Sequence, residues 1–484
     1  MPAPSAMSAP NRPVPPCVFA SYTVQKDARV DLETQVAALL ALCRSGLRFV
    51  ELRDDLLDPG DLSFFASCIP EAQRLFSLRR PGLQTVSRLE TVSPAAVDYA
   101  LELGPMPADL RAFLDRSVAI ERVVSCHFRD PGQPLQKQLQ QLSAQADQAV
   151  VVKAALPIEN LHELFVGHAW HLQNPARHVF LPIAKDGSGR FGFYRLLRFS
   201  KLRLNFVREK DVPGIVPDQP TLDEWRLRGL QSVPEAEPIP FAAILGDPVL
   251  HSRTPSYHRA FFAQRGMPVL AVRVTEEDTR DPNLLRDLCG LGLRAAAVTS
   301  PVKNWLAQAV HRSGGWLAPG DAGDPQDAGN TLWVDSHGQV GGTSTDGIGL
   351  RAAWAQVLAA HGDVLGEKAQ VAVFGGGGLL SLLRATFVGA LFLSARSGKP
   401  RDGQPLPFLE KCTVVVWSVG KNRLAAQPPG ALRPKVVFDL NYAADSPGKQ
   451  YAQQVGARYV DGSTFFTAQA DAQQALWMDR LVSI

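Results

Sequence analysis

Gln370-Val-Ala-Val-Phe374-Gly375-Gly-Gly-Gly378-Leu379 joins a short apolar run to four glycines, and Leu379–Val388 continues it as a leucine-rich stretch of helical character. Strand, glycine turn, helix is a dinucleotide-binding opening: residues without side chains let the backbone approach a pyrophosphate, and a helix start favours its charge. A glycine turn alone is weak evidence, so its neighbours decide. Downstream, Leu391-Phe-Leu-Ser-Ala-Arg396 reads as the next strand, ending on a cation. Only sixteen residues, several of them Gly or Pro, separate Arg396 from the following strand, Thr413-Val-Val-Val-Trp417, which shortens or removes the usual helix and strand between them. Upstream, strands and helices alternate from Phe241 to about Gly349. Before that, Gln231-Ser-Val-Pro-Glu-Ala-Glu-Pro-Ile-Pro240 carries three prolines and reads as a linker.

The first half has a different rhythm. Apolar or β-branched runs recur at Val18–Val24, Leu47–Arg53, Leu75–Arg79, Val97–Leu103, Ile120–Cys126, Val150–Leu156, Val179–Ala184 and Leu202–Val207, mostly separated by helix-like stretches such as Leu32–Cys43. Eight strand-then-helix units predict a (β/α)8 barrel, with its chemistry at the C-terminal ends of the strands. Arg53, Arg79, His127 and Lys153 all fall there. Lys153 closes Ala149-Val-Val-Val-Lys153, and His127 closes Val123-Val-Ser-Cys-His127. An amine in an apolar strand has its charged form disfavoured by desolvation, so part of it is free to attack a ketone and form a Schiff base, with the histidine as base.

Composition bounds the rest. The chain has 484 residues, enough for two to four domains, with 45% hydrophobic and 20% charged residues and a net charge of +3. That balance favours small-molecule partners over nucleic acid. The six cysteines show no C-x-x-C spacing, which argues against a disulfide framework or zinc site and for a reducing compartment. Cys126, beside His127, reads as a small strand filler rather than a nucleophile. Neither a membrane span nor a secretory signal is visible, so the cytoplasm is expected. Residues 1–16 are small and proline-rich and read as a disordered tail.

With Glu51-Leu-Arg53, Ser77-Leu-Arg79, Ser125-Cys-His127 and Val152-Lys153, residues 17–230 resemble type I 3-dehydroquinate dehydratase. The resemblance implies that Lys153 forms an imine with the C3 ketone of 3-dehydroquinate, while His127 removes a C2 proton and then assists loss of the C1 hydroxyl as water. It also implies that Glu51, Arg53, Arg79, Arg195 and Gln219 hold the substrate carboxylate and hydroxyls. Two positions depart from the family pattern. A glutamate that orients the histidine should follow the second arginine, where this chain has Arg80-Pro-Gly-Leu83-Gln, and a serine before the final glutamine is replaced at Ile215 or Val216.

In the second half, Gly246-Asp-Pro-Val-Leu-His-Ser252-Arg-Thr254, Val298-Thr299-Ser-Pro301-Val-Lys303, Gly329-Asn330-Thr331 and Ser344-Thr345-Asp346-Gly347 resemble, in order, the signatures of shikimate dehydrogenase. The resemblance implies a two-lobed α/β unit: a substrate lobe at 241–349, a Rossmann-like NADP-binding lobe at 350–460, and a final helix at 461–484 returning to the substrate lobe, the linker being 231–240. It implies Lys303 and Asp346 as the catalytic pair, with Ser252, Thr254, Thr299 and Asn330 on the substrate. Tyr442 and Gln469 would close over substrate and cofactor. NADP would lie on Gly375, Gly377 and Gly378, with its 2′-phosphate at Arg396, aided by Lys399 and Arg401. No metal is implied. Ala297 stands where the family has asparagine, removing one contact to a substrate hydroxyl.

The expected function is therefore bifunctional: Schiff-base dehydration of 3-dehydroquinate, then NADPH-dependent reduction of 3-dehydroshikimate to shikimate. A quinate-directed dehydrogenase and a non-catalytic sensor of the same ligands are the two alternatives.

Overall fold

The computed structural model describes residues 20–23, 32–44, 49–70, 74–80, 85–117, 119–146, 150–199, 201–208, 216–224, 237–318, 328–365, 369–401, 406–420 and 426–481. The expected tail at 1–16, most of the expected linker, and positions 81–84 and 215 lie outside the described residues. The chain divides into two compact units, Met1–Val233 and Pro234–Ile484. Among the described residues no helix is long and apolar enough to cross a membrane.

The first unit contains β1 (Ala20–Thr23), β2 (Phe49–Arg53), β3 (Arg74–Leu78), β4 (Ala96–Ala100), β5 (Glu121–Cys126), β6 (Val151–Ala154), β7 (Pro157–Ile158), β8 (His178–Phe180), β9 (Ile183–Ala184) and β10 (Asn205–Phe206). Eight of them form one sheet in the order β10-β1-β2-β3-β4-β5-β6-β8. Every ladder in it is parallel. The short β7 and β9 pair with each other. Parallel neighbours require a crossover, which helices such as Leu32–Arg44, Pro59–Cys68, Thr85–Val92 and Leu135–Gln145 supply. Each of the eight apolar runs overlaps one strand of this sheet.

Strand alternation gives the sheet two unlike faces. Val50, Leu52, Phe76, Leu78, Val97 and Tyr99 belong to one buried cluster with helical Leu62, Phe65, Leu89, Leu110 and Leu114. Leu75, Ala96, Val123, Val151, Val179, Leu204 and Phe206 form another, drawn from the other face. Two residues further along four of those strands the chemistry changes: Ser77, Asp98, Ser125 and Lys153 follow, all buried. A polar layer thus lies on an apolar one, toward the C-terminal strand ends. Burying an apolar side chain stabilises by roughly 1.5–3 kcal/mol, whereas a buried charge costs stability unless it is paired.

In the second unit, β11 (Phe241–Gly246), β12 (Val269–Arg273), β13 (Leu293–Val298), β14 (Trp316–Leu317), β15 (Thr331–Val334) and β16 (Val340–Thr343) make a six-stranded sheet ordered β12-β11-β13-β15-β16-β14. It is mixed, β15 running antiparallel to both its neighbours. A second sheet, ordered β18-β17-β19-β20-β21, holds β17 (Val371–Gly375), β18 (Leu391–Leu393), β19 (Val414–Ser418), β20 (Val436–Asp439) and β21 (Arg458–Val460). All its ladders are parallel, giving a Rossmann-like lobe. Strand order reverses beside β17, the position at which open α/β sheets bind ligands. Between β18 and β19 the described residues hold no further strand or α-helix, only an antiparallel bridge of Pro400 with Leu393 and a 3-10 run, Leu406–Lys411, so β18 ends the strand order.

Helix Asp346–Leu365 leads from the first sheet to the second, and the last helix, Ser463–Arg480, packs along it. From that last helix Gln473 Nε2 donates to the Asn330 carbonyl at 3.0 Å and Trp477 Nε1 to the Leu332 carbonyl at 2.9 Å. This last helix is thereby anchored on the six-stranded sheet.

Candidate active sites

A cleft of about 1350 Å³ opens in the second unit, lined from the first sheet by Ser252, Thr254, Thr299, Lys303 and Asn330, and from the second by Gly375–Gly378, Arg396 and Tyr442, with Gln469 from the last helix. Lys303 begins helix Lys303–Arg312 and Asp346 begins helix Asp346–Leu365. The two side chains meet as a largely buried ion pair, Nζ donating to Oδ2. The other carboxylate oxygen accepts from Asn330 Nδ2 at 2.8 Å. Asn330 is itself fixed, its Oδ1 accepting from the Thr345 amide at 2.8 Å and from Thr331 Oγ1 at 2.7 Å. A lysine ammonium is thus held by a carboxylate that has no freedom to turn away.

The glycine turn stands against this pair. Gly375 has φ +99°, and a Cβ there would come 2.5 Å from the Ser418 carbonyl oxygen, so only glycine fits without movement. A Cβ on Gly378 would lie 3.8 Å from Lys303 Cδ, placing the turn beside the lysine stem. Across the cleft, Ser252 Oγ donates to Thr254 Oγ1 at 3.1 Å, and Arg253 lies over the Tyr442 ring at 4.9 Å. Arg396 is exposed after β18, where the chain turns back so sharply that the Arg401 amide bonds the Phe392 carbonyl at 2.8 Å. Arg401 therefore joins Arg396 in lining the cleft, whereas Lys399 does not.

In the first unit Lys153 sits in the polar layer, 2% exposed. Its Nζ donates to Asp98 Oδ2 and lies 4.7 Å from the centre of the Phe206 ring. Arg79 reaches the same carboxylate at 3.0 Å and His127 Nε2 at 3.4 Å. Burial lowers the Lys153 pKa and Arg79 adds to this, against the opposing pull of Asp98. Burial would raise the Asp98 carboxyl, but Lys153 and Arg79 outweigh it and hold it well below the usual carboxylate range. Burial also lowers His127, partly offset by Glu102. Glu51 is buried and accepts from Ser77 Oγ at 2.5 Å, while Arg53 makes a two-pronged pair with Asp55 at 2.9 and 2.7 Å.

The carboxylate expected after Arg79 was absent from the sequence, but His127 does not lack an acidic neighbour: Glu102 accepts from the His127 backbone amide and stands 3.6 Å from its Nδ1. Burial would raise Glu102, but its bonds from His127 outweigh that and hold it at about 2. It comes from the 3-10 turn Leu101–Leu103 after β4, a different strand from the expected one. Arg195 and Gln219, both buried, are held by groups of the strand β10 and the residue after it. Arg195 bonds Asn205 Oδ1 at 3.2 Å and the Phe206 carbonyl at 3.3 Å, and Gln219 bonds the Val207 carbonyl at 2.7 Å. Burial pushes Arg195 down to about 10, which leaves it charged at neutral pH. Burial and Glu102 push the Cys126 thiol up to about 11, so it is no ready thiolate.

No family model matches the chain. It is 28% identical over 277 residues to a shikimate dehydrogenase (NADP(+)) of Bordetella petrii, covering 50% of this chain and 92% of that one. To the shikimate dehydrogenase (NADP(+)) of Cupriavidus pinatubonensis it is 27% identical over 285 residues, covering 51% and 92%. The C-terminal half is homologous to shikimate dehydrogenases. A solved structure, shikimate dehydrogenase 1 from Peptoclostridium difficile, is similar at 16% identity and a TM-score of 0.40, over 51% of this chain and 94% of that one.

In the second unit, every residue picked from the sequence lines the cleft except Lys399 and Asp346, the latter engaged by Lys303 Nζ. Sequence reasoning passed over Thr345, whose amide locks Asn330, although it sits inside the quoted Ser344–Gly347 motif. In the first unit it passed over Asp98 and Glu102. The available signal was an acid inside the apolar run Val97–Leu103, since an aspartate there is rarely buried without a partner.

Proposed function

We propose that the chain is a bifunctional enzyme of the shikimate pathway, dehydrating 3-dehydroquinate in its first unit and reducing 3-dehydroshikimate with NADPH in its second. The observation that carries the reduction is the Lys303–Asp346–Asn330 network in a cleft walled by the glycine turn. Hydride delivered to the ketone carbon drives the carbonyl electron pair onto oxygen, and the ammonium stabilises that charge and donates the proton. The glycine turn and Arg396 would hold NADP, whose name the relatives also carry. For the dehydration, the carrying observation is Lys153, buried in the polar layer within reach of Arg79 and the half-buried His127. We take the eight-stranded sheet to close as a (β/α)8 barrel, because side chains from β3 through β10 share one interior cluster. The assignments are a dehydratase-like 17–230, a linker at 231–240, a substrate lobe at 241–349, a cofactor lobe at 350–460 and the returning helix at 461–484, in the cytoplasm.

One assay tests both activities. Supplied with 3-dehydroquinate alone, the protein should generate enone absorbance; with NADPH added, the enone should be consumed together with NADPH. Enone without NADPH loss would leave only the first reading standing. A quinate-directed second unit is favoured by Ala297, a methyl lining the cleft where a polar side chain was expected. Faster oxidation of quinate than of shikimate would select it.

Arg396→Ala is expected to raise the KM for NADPH at least about tenfold while leaving that for NADH within about twofold, because a 2′-phosphate carries nearly two charges and NADH lacks it. Equal effects on both cofactors would remove Arg396 from the phosphate site. The buried clusters of the two units share no residue, so residues 1–233 and 234–484 produced separately should each fold. Dehydratase activity should follow the first piece and reductase activity the second. Pieces soluble only when joined would refute the boundary.

A further inference from the structure

Asp98 was not among the residues expected to act, yet it occupies the centre of the polar layer. It is fully buried on β4, with β5 between it and Lys153 on β6. One carboxylate oxygen receives both Lys153 Nζ and Arg79 Nη2. The other, Oδ1, is buried and has no hydrogen-bond partner among the described residues, and the same holds for Ser125 Oγ, on the register partner of Lys153. A buried carboxylate oxygen without a partner is rare and costly, and two such atoms beside one amine mark a place prepared for polar atoms of a ligand.

We propose that Asp98 is a catalytic acid and base of imine formation at Lys153, a role that rests on the dehydratase reading. Asp98 takes one proton from the Lys153 ammonium, which frees the nitrogen lone pair. The amine attacks the ketone carbon, the C–N bond forms, and the carbonyl electron pair moves to oxygen. A proton then passes from nitrogen to that oxygen, giving the neutral carbinolamine. Asp98 returns its proton to the hydroxyl, the C–O bond breaks, water leaves, and the nitrogen lone pair forms the iminium. Ammonium and ketone have become iminium and water, and Asp98 is again a carboxylate, now the counter-ion of the iminium. Oδ1 and Ser125 Oγ are where the hydroxyl and the departing water find partners. Arg79 keeps the carboxylate aimed at the nitrogen throughout.

The test is borohydride trapping of 3-dehydroquinate on Lys153, read as the rate at which the full chain gains a ligand-sized mass. Asp98→Asn should slow trapping about 10²-fold, the usual loss on removing a general acid or base. Asp98→Asn trapping at the unmodified rate overturns the role of Asp98 and leaves the dehydratase reading intact. Absence of any adduct in the unmodified protein overturns that reading and this role with it. If Asp98→Asn does not fold, Asp98→Glu decides, since it retains the ion pair but displaces the carboxylate by a methylene. Its trapping rate should fall at least about tenfold, and an undiminished rate overturns the proposal.

Discussion

Lys153→Ala is expected to abolish dehydration of 3-dehydroquinate, lowering kcat/KM by about 10⁴-fold or more while reduction of 3-dehydroshikimate by the same molecule continues. The size of the effect follows from what the lysine supplies. A proton beside a ketone is far too weakly acidic for an imidazole near neutral pH, and only the iminium gives its electrons somewhere to go. His127 could not compensate for a missing amine. Substrate binding should survive, because Arg79 and Glu51 remain, although loss of the cation leaves Asp98 paired, among the described residues, with Arg79 alone. The pH profile provides an independent reading. As the base of the proposed dehydration, His127 would have to be neutral; its burial lowers its pKa, so its neutral form persists to lower pH than that of an ordinary imidazole, near 6.5. The acid limb of kcat/KM should accordingly fall below that value. Dehydration by Lys153→Ala within about tenfold of the unmodified rate would eliminate the Schiff-base mechanism.

The parts of this protein that could be read in the sequence are those encoded locally. Eight apolar runs gave eight parallel strands, because alternation and β-branching are properties of a few consecutive residues. The glycine turn was legible for the same reason: Gly375 must adopt a positive φ beside Ser418, and four adjacent glycines advertise it. Lys153 and His127 could be found because each ends such a run. Asp98 and Glu102 could be seen only as acids in an apolar run, not in their roles, which depend on partners 55 and 25 residues away. Read alone, Val97-Asp98-Tyr99 is a strand with an interruption. Only when β4 and β6 are placed on either side of β5 does the interruption become the counter-charge that lets a lysine be buried. The orienting carboxylate illustrates the same limit from the other side. It was sought after Arg79 because of where a family motif puts it, and Glu102 presents the same chemical group from the end of β4.

Lys303→Ala should lower kcat for reduction of 3-dehydroshikimate by about 10²–10⁴-fold, with the KM for NADPH changed by less than about threefold. The split between the two constants is the informative part. Lys303 Nζ is engaged by Asp346, and its stem, not its charge, borders the glycine turn, so the cofactor loses little when the side chain is cut back. In the proposed reduction, the forming alkoxide would lose its proton donor and the positive charge of Lys303 at the moment of hydride transfer. Asp346→Asn should give a smaller loss in kcat, because the amide still fills the space and can still accept from Asn330 Nδ2 through its oxygen while no longer holding the ammonium by charge. The order Lys303→Ala below Asp346→Asn below the unmodified protein is what a donor held by its carboxylate requires. If the KM for NADPH rises in Lys303→Ala as steeply as kcat falls, the lysine is a cofactor ligand and the proton must come from elsewhere in the cleft.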